Sequence, residues 1–194
     1  LTSLMQYFNS QDFCDFINYK VLNKNKFSLK KLKLVQPNEK LGLFNFLFYK
    51  PVFLSMKLSK YEENSVIYPH RDAAQKLYAF LFYLGFSDNI KRDFGGTQFY
   101  KVKDDAISKK KVNSTDHLPD SLNHLSLFYD MRPNENSFCG FEIGKSSWHG
   151  VSHLEKLPKD CYRINLQINL MKCIKYTLIT KILVVLLKKL KILK

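Results

Sequence analysis

Tyr68-Pro69-His70-Arg71-Asp72 and, far downstream, Trp148-His149-Gly150-Val151 followed by Tyr162-Arg163-Ile164-Asn165 are the stretches that decide the fold. Alternate residues of an extended strand share a face, so His70 and Asp72 are expected to project together. Two imidazoles and one carboxylate form a facial metal triad with open positions, an arrangement suited to non-haem Fe(II). His149 can complete that set only if the intervening chain folds back and returns the two ends to each other, as a closed pair of sheets does.

The last stretch carries a second signal. From Arg163 to Leu170 polar and apolar residues alternate strictly, with Arg163, Asn165, Gln167 and Asn169 on one face and Ile164, Leu166, Ile168 and Leu170 on the other. Read alone, this is a half-exposed strand with a polar outer face. Read with the triad, it is a polar row turned toward a site and headed by Arg, the side chain suited to bidentate capture of a carboxylate.

The surrounding pattern predicts a mainly β chain with N-terminal helices. Leu4, Phe8, Phe13, Phe16 and Ile17 recur at helical spacing, and Ser10 is placed to cap the second segment. Residues 24–33 alternate basic and apolar side chains, as a strand or a basic surface helix would. Leu41 to Met56 is a dense apolar run in which Pro51 is expected to break any continuous strand, leaving one element on each side of a turn. After residue 65 the chain reads as short strands: Leu77–Phe86 with both faces apolar, a tight Gly95-Gly96 turn into a strand through Lys101, then Leu125–Tyr129, Phe138–Ile143 and Tyr162–Leu170. Residues 103–123 read as an insertion or a substrate lid. Such an order predicts two packed sheets of jelly-roll or cupin type, with a mouth able to hold a metal and a small ligand. The domain organisation expected is a supporting segment over 1–60, a core over 61–171 and a basic apolar helix over 172–194.

The net charge of +14 invites a nucleic-acid reading. Its distribution argues otherwise. Residues 20–60 carry ten Lys against one acid, residues 172–194 seven Lys and no acid, and residues 61–171 fourteen basic and fourteen acidic side chains. The triad region is therefore neutral, and the basic flanks are a solvated surface or a contact for an anionic partner. Residues 172–194 have no uncharged run long enough to span a bilayer; they suit a helix packed on the protein or lying on an anionic membrane surface. Cys14, Cys139, Cys161 and Cys173 form no CxxC pair, and without signal-peptide features in residues 1–30 a cytoplasmic protein with reduced thiols is expected. His117, His124 and His153 lie in polar surroundings and read as surface residues.

Taken as a set, His70-x-Asp72, Gly95-Gly96-Thr97-x-Phe99-Tyr100, Trp148-His149-Gly150-Val151 and Arg163-x-Asn165 resemble the 2-oxoglutarate/Fe(II)-dependent dioxygenase superfamily, in particular its prolyl-4-hydroxylase-like branch. The resemblance covers roughly residues 60–171. It implies a double-stranded β-helix, Fe(II) on His70, Asp72 and His149, and Arg163 on the distal carboxylate of 2-oxoglutarate. Asn165 stands where the family often has a Ser beside the cosubstrate. An inward-facing Tyr often assists the Arg, and Tyr78 is the candidate here, with Tyr68 and Tyr83 as alternatives. The implied reaction consumes O2, hydroxylates a small-molecule or peptide substrate and releases succinate and CO2. Asp72 speaks against the halogenase members, which replace that carboxylate. The nucleic-acid demethylases carry a second Arg on the last strand, where this chain has Gln167 and Asn169, and the collagen-type hydroxylases typically use Lys in place of Arg163. The competing readings are a cupin-like metal-binding domain without catalysis and a nucleic-acid-binding module acting through the basic flanks.

Overall fold

In the computed structural model, the residues described are 2–20, 31–35, 49–90, 92–103, 121–154, 157–173 and the isolated positions 182, 185, 186 and 189. The Pro37 break, most of 24–33, half of 41–56, nearly all of the 103–123 insertion and most of the C-terminal tail lie outside them. Among the described residues no helix is long and apolar enough to cross a membrane.

The chain divides into two compact units, one of residues 1–55 with 170–194 and one of residues 56–169. The first opens with helices α1 (Thr2–Phe8) and α2 (Gln11–Lys20). Ser10 caps α2 as expected, its hydroxyl accepting from the Phe13 N–H at 3.3 Å. Phe13, Cys14 and Ile17 form the buried stripe of that helix. Strand β1 (Lys31–Leu34) is fastened to it by Asn18, whose amide donates to the Leu32 carbonyl and accepts from the Leu32 N–H.

Strand β2 runs without interruption from Tyr49 to Tyr61, straight through Pro51. This corrects the expected break. The N–H and C=O of one strand residue face the same neighbour, and the Pro51 carbonyl accepts from the Cys173 N–H at 3.4 Å. Cys173 lies one residue beyond the end of the last strand, β9 (Arg163–Lys172). The N–H that proline lacks therefore falls where that ladder is ending, and the loss costs little.

The remaining strands are β3 (Ile67–His70), β4 (Lys76–Phe86), β5 (Thr97–Val102), β6 (Leu125–Met131), β7 (Ser137–Glu142) and β8 (Trp148–Val151), with a short helix α3 (Ser121–His124) before β6. They form two sheets, in the orders β1-β2-β9-β4-β7 and β3-β8-β5-β6. The order is nested. β5 and β6 form an antiparallel hairpin, the flanking β4 and β7 pair antiparallel in the other sheet, and the next pair out, β3 and β8, returns to the first. Each step outward adds a pair to the opposite sheet, and β2 beside β9 closes the series. Gly95 makes the expected turn into β5 with φ of +76°, where a side chain would be strained.

β4 is buried on both faces as its composition predicts. Tyr78 and Phe80 stack on one side, where Phe80 also stacks on Phe138 of β7. Tyr83 and Leu81 occupy the opposite parity.

Candidate metal and anion site

His70 and His149 are direct register partners across β3 and β8, and their ring centroids lie 4.5 Å apart. The strand ends at His70, so Asp72 reaches the histidines from the following turn and not along a continued strand. One ligand atom from each of His70, Asp72 and His149 lies within 4.8 Å of the others, and Asp72 Oδ2 is 3.6 Å from His149 Nε2. Gly150 permits the close approach: a Cβ there would sit 2.5 Å from the Ile67 carbonyl oxygen and push β8 off β3.

Hydrogen bonding fixes the state of both imidazoles. His70 Nδ1 is 3.0 Å from the Tyr68 carbonyl oxygen, and His149 Nδ1 is 3.0 Å from that of Ser147. A carbonyl only accepts, so each Nδ1 carries the proton and each Nε2 the lone pair. Sequence could not name these partners, yet both lie two residues upstream of their histidine. Burial, reinforced by repulsion from His70 should that ring be protonated, lowers the His149 pKa from 6.5 to about 4. It is thus a neutral ligand at physiological pH. Asp72 Oδ2 is buried and has no hydrogen-bond partner among the described residues. A carboxylate oxygen is rarely left so without a cation to receive it, and this donor set fits a divalent metal.

The His149 shift has a consequence for stability. Between pH 6.5 and 4 the unfolded chain binds a proton at this position that the folded chain refuses. Stability should therefore fall as pH is lowered through that window, by about 3 kcal/mol at most, with the penalty absent above it. Urea midpoints at pH 7.5 and pH 5 should differ more for the wild type than for His149→Asn.

The triad faces a cavity of about 280 Å³ also lined by Ser59, Tyr61, Thr97, Phe141, Asn165 and Gln167. The Phe141 ring packs 4.7 Å from that of His149 and 5.1 Å from that of Phe99, which gives the metal side an apolar wall. The polar row of β9 faces inward. Arg163, Asn165 and Asn169 are all buried, so the polar-outer-face reading is corrected: this face of the strand meets the interior of the fold. Arg163 is completely buried, and among the described residues none of its three guanidinium nitrogens has a hydrogen-bond partner. Its guanidinium lies 4.3 Å from the Tyr61 ring centroid and 5.5 Å from that of Tyr83. Burial presses its pKa below the ordinary value, with Tyr83 and Tyr61 opposing. Asn165 Oδ1 is likewise buried and unpartnered.

Tyr78 is not the tyrosine beside Arg163. It lies on the other face of β4, stacked on Phe80, and does not line the cavity. Tyr83 takes that place and bonds to the Thr97 hydroxyl, while the Thr97 N–H donates to its oxygen at 3.1 Å. Tyr68, the other alternative, is 42% exposed. Tyr61, which also flanks Arg163, was missed; its signal was the alternation Lys57, Ser59, Tyr61 on β2, hidden behind the expected break at Pro51. On the outer side, Arg71 stacks on Trp148 at 5.1 Å and donates to the Lys145 carbonyl, joining the His70–Asp72 turn to the segment that carries His149. His124 and His153 are exposed, and His117 lies outside the described residues.

No protein-family model matches the chain, and no curated protein matches it. Among solved structures the chain is similar to a prolyl-4-hydroxylase from Pseudomonas putida, at 12% identity over 82% of this chain and 80% of that one, with a TM-score of 0.40. It is similar also to HygX from Streptomyces hygroscopicus, a structure with nickel and 2-oxoglutarate bound, at 13% identity over 62% and 59% of the two chains and a TM-score of 0.35. EvdO2 from Micromonospora carbonacea var. aurantiaca is 9% identical over 61% and 52%, with a TM-score of 0.34. Likenesses this low in score assign nothing to the site, which is read from its own side chains.

Proposed function

We propose that the chain is an Fe(II)- and 2-oxoglutarate-dependent dioxygenase that hydroxylates a small-molecule or peptide substrate, with its catalytic core in residues 61–171. The nested strand order supports a double-stranded β-helix. The observation that carries the functional reading is a buried, unpartnered carboxylate oxygen between two histidines, in one cavity whose Tyr61 wall stacks on a buried, unpartnered guanidinium.

His70, Asp72 and His149 would hold the iron. Arg163 would take a carboxylate of 2-oxoglutarate, with Asn165 beside it. Bound together, iron and cosubstrate supply the oxidative chemistry: 2-oxoglutarate, O2 and a substrate C–H become succinate, CO2 and a C–OH. The protein's own contributions are local. The Tyr68 and Ser147 carbonyls hold the proton on each Nδ1 and keep each Nε2 available for coordination. Phe141 and Phe99 keep water from that side of the site. The Tyr61 and Tyr83 rings hold the guanidinium in place before any anion arrives, which lowers the ordering cost of binding.

Succinate release from 2-oxoglutarate by the purified protein is the test. It should require added Fe(II) and stop on chelation. A protein that binds Fe(II) but neither binds nor consumes 2-oxoglutarate contradicts the proposal.

A further inference from the structure

Lys76 stands in the site without a role in the reading above. It is the first residue of β4, four positions after Asp72. A tight turn, closed by the Lys76 N–H donating to the Ala73 carbonyl at 2.9 Å, doubles the chain back so that the ammonium meets the carboxylate. The Nζ–Oδ1 distance is 2.5 Å, with the Lys76 side chain 20% exposed and that of Asp72 9% exposed. Lys76 also lines the cavity.

The contact is one-sided. Oδ1 is taken by the ammonium, while Oδ2 is buried, unpartnered and turned to the His149 Nε2 at 3.6 Å. A carboxylate free at both oxygens can chelate a metal through both and take two coordination positions. One held at one oxygen by a short charge-assisted bond has a single oxygen to give. We infer that Lys76 is a positioning residue that makes Asp72 a one-oxygen ligand, so that the triad occupies three positions of the metal and leaves the opposite face for ligands from the cavity. The inference rests on the proposed metal site and adds what sets its denticity.

The test uses Co(II), whose visible absorption changes with coordination number and geometry, on full-length protein whose fold is checked by circular dichroism. Lys76→Met, which frees Oδ1 to chelate and removes a cation beside the site, should bind Co(II) more tightly and with altered visible bands. Lys76→Arg, which restores a donor to Oδ1, should return both affinity and spectrum toward wild type. Lys76→Gln keeps length without charge and serves if the Met variant does not fold; it should resemble Met, not Arg. Wild-type affinity and spectrum in a folded Met or Gln variant overturn the inference and reduce the contact to a surface ion pair. A wild-type protein that binds no Co(II) overturns the metal-site reading, and the inference with it.

Discussion

Arg163→Met should make the protein more stable and unable to bind 2-oxoglutarate. The guanidinium is 0% exposed, and among the described residues its three nitrogens have no hydrogen-bond partner. Of those residues, Tyr61 and Tyr83 offset part of the loss of water. An unsatisfied buried polar group costs about 1–3 kcal/mol, and more when charged, while an apolar replacement of similar volume for a buried charge is often stabilising by about 1–4 kcal/mol. The methionine variant should therefore unfold at higher urea in the absence of ligand. Adding the dianion should reverse the ranking. At a hundred times its Kd a ligand stabilises by about 2.7 kcal/mol, so with a redox-inert divalent metal already present wild type should gain a further clear shift in melting temperature from 2-oxoglutarate, and the variant none. A destabilised variant that still shifts with 2-oxoglutarate would mean that Arg163 is a structural cation and that the anion binds elsewhere.

Asp72→Asn should all but remove metal binding while leaving the fold intact. The substitution keeps the shape of the side chain and deletes its charge. Loss of a partner of a metal ligand typically costs about 10–100-fold in affinity, and loss of the one anionic ligand among three should exceed that. The folded protein has little to lose, because Oδ2 has no hydrogen-bond partner among the described residues and asparagine keeps an oxygen for the Lys76 ammonium. Calorimetric titration with Mn(II) should show no binding at concentrations that saturate wild type, with unchanged far-ultraviolet dichroism. Wild-type Mn(II) affinity in this variant would falsify the role given to Asp72.

His70, His149 and Arg163 were legible from residue type and strand position, whereas Asp72 joins them from the turn after β3, where strand parity does not apply. The fold pairs His70 with His149 and buries the Arg163 face. Other features needed partners that no local pattern supplies. Both faces of β4 are apolar, so parity alone could not say whether Tyr78 or Tyr83 faced the guanidinium; the packing of Tyr83 beside Arg163 decides it. Pro51 read as a break because the rule assumes a ladder on the side of its missing N–H, and there the ladder is running out. Lys76 carries no sequence signal, because its partner lies across a turn and i,i+4 spacing signals contact only on a helix.

The nesting of the strands bears on how the metal site comes into being. Joined directly from the unfolded chain, His70 and His149 would close a loop holding more than a third of the sequence. Once the β5–β6 hairpin and the β4–β7 pair have formed, only residues 71–75 and 143–147 remain to be closed, one short connection on each side. Each halving of a loop saves about 0.6 kcal/mol of chain entropy. The three side chains thus meet across two short tethers that the rest of the two sheets has already drawn tight, and the chain entropy of assembling the proposed metal site is lost on folding, before any ion binds.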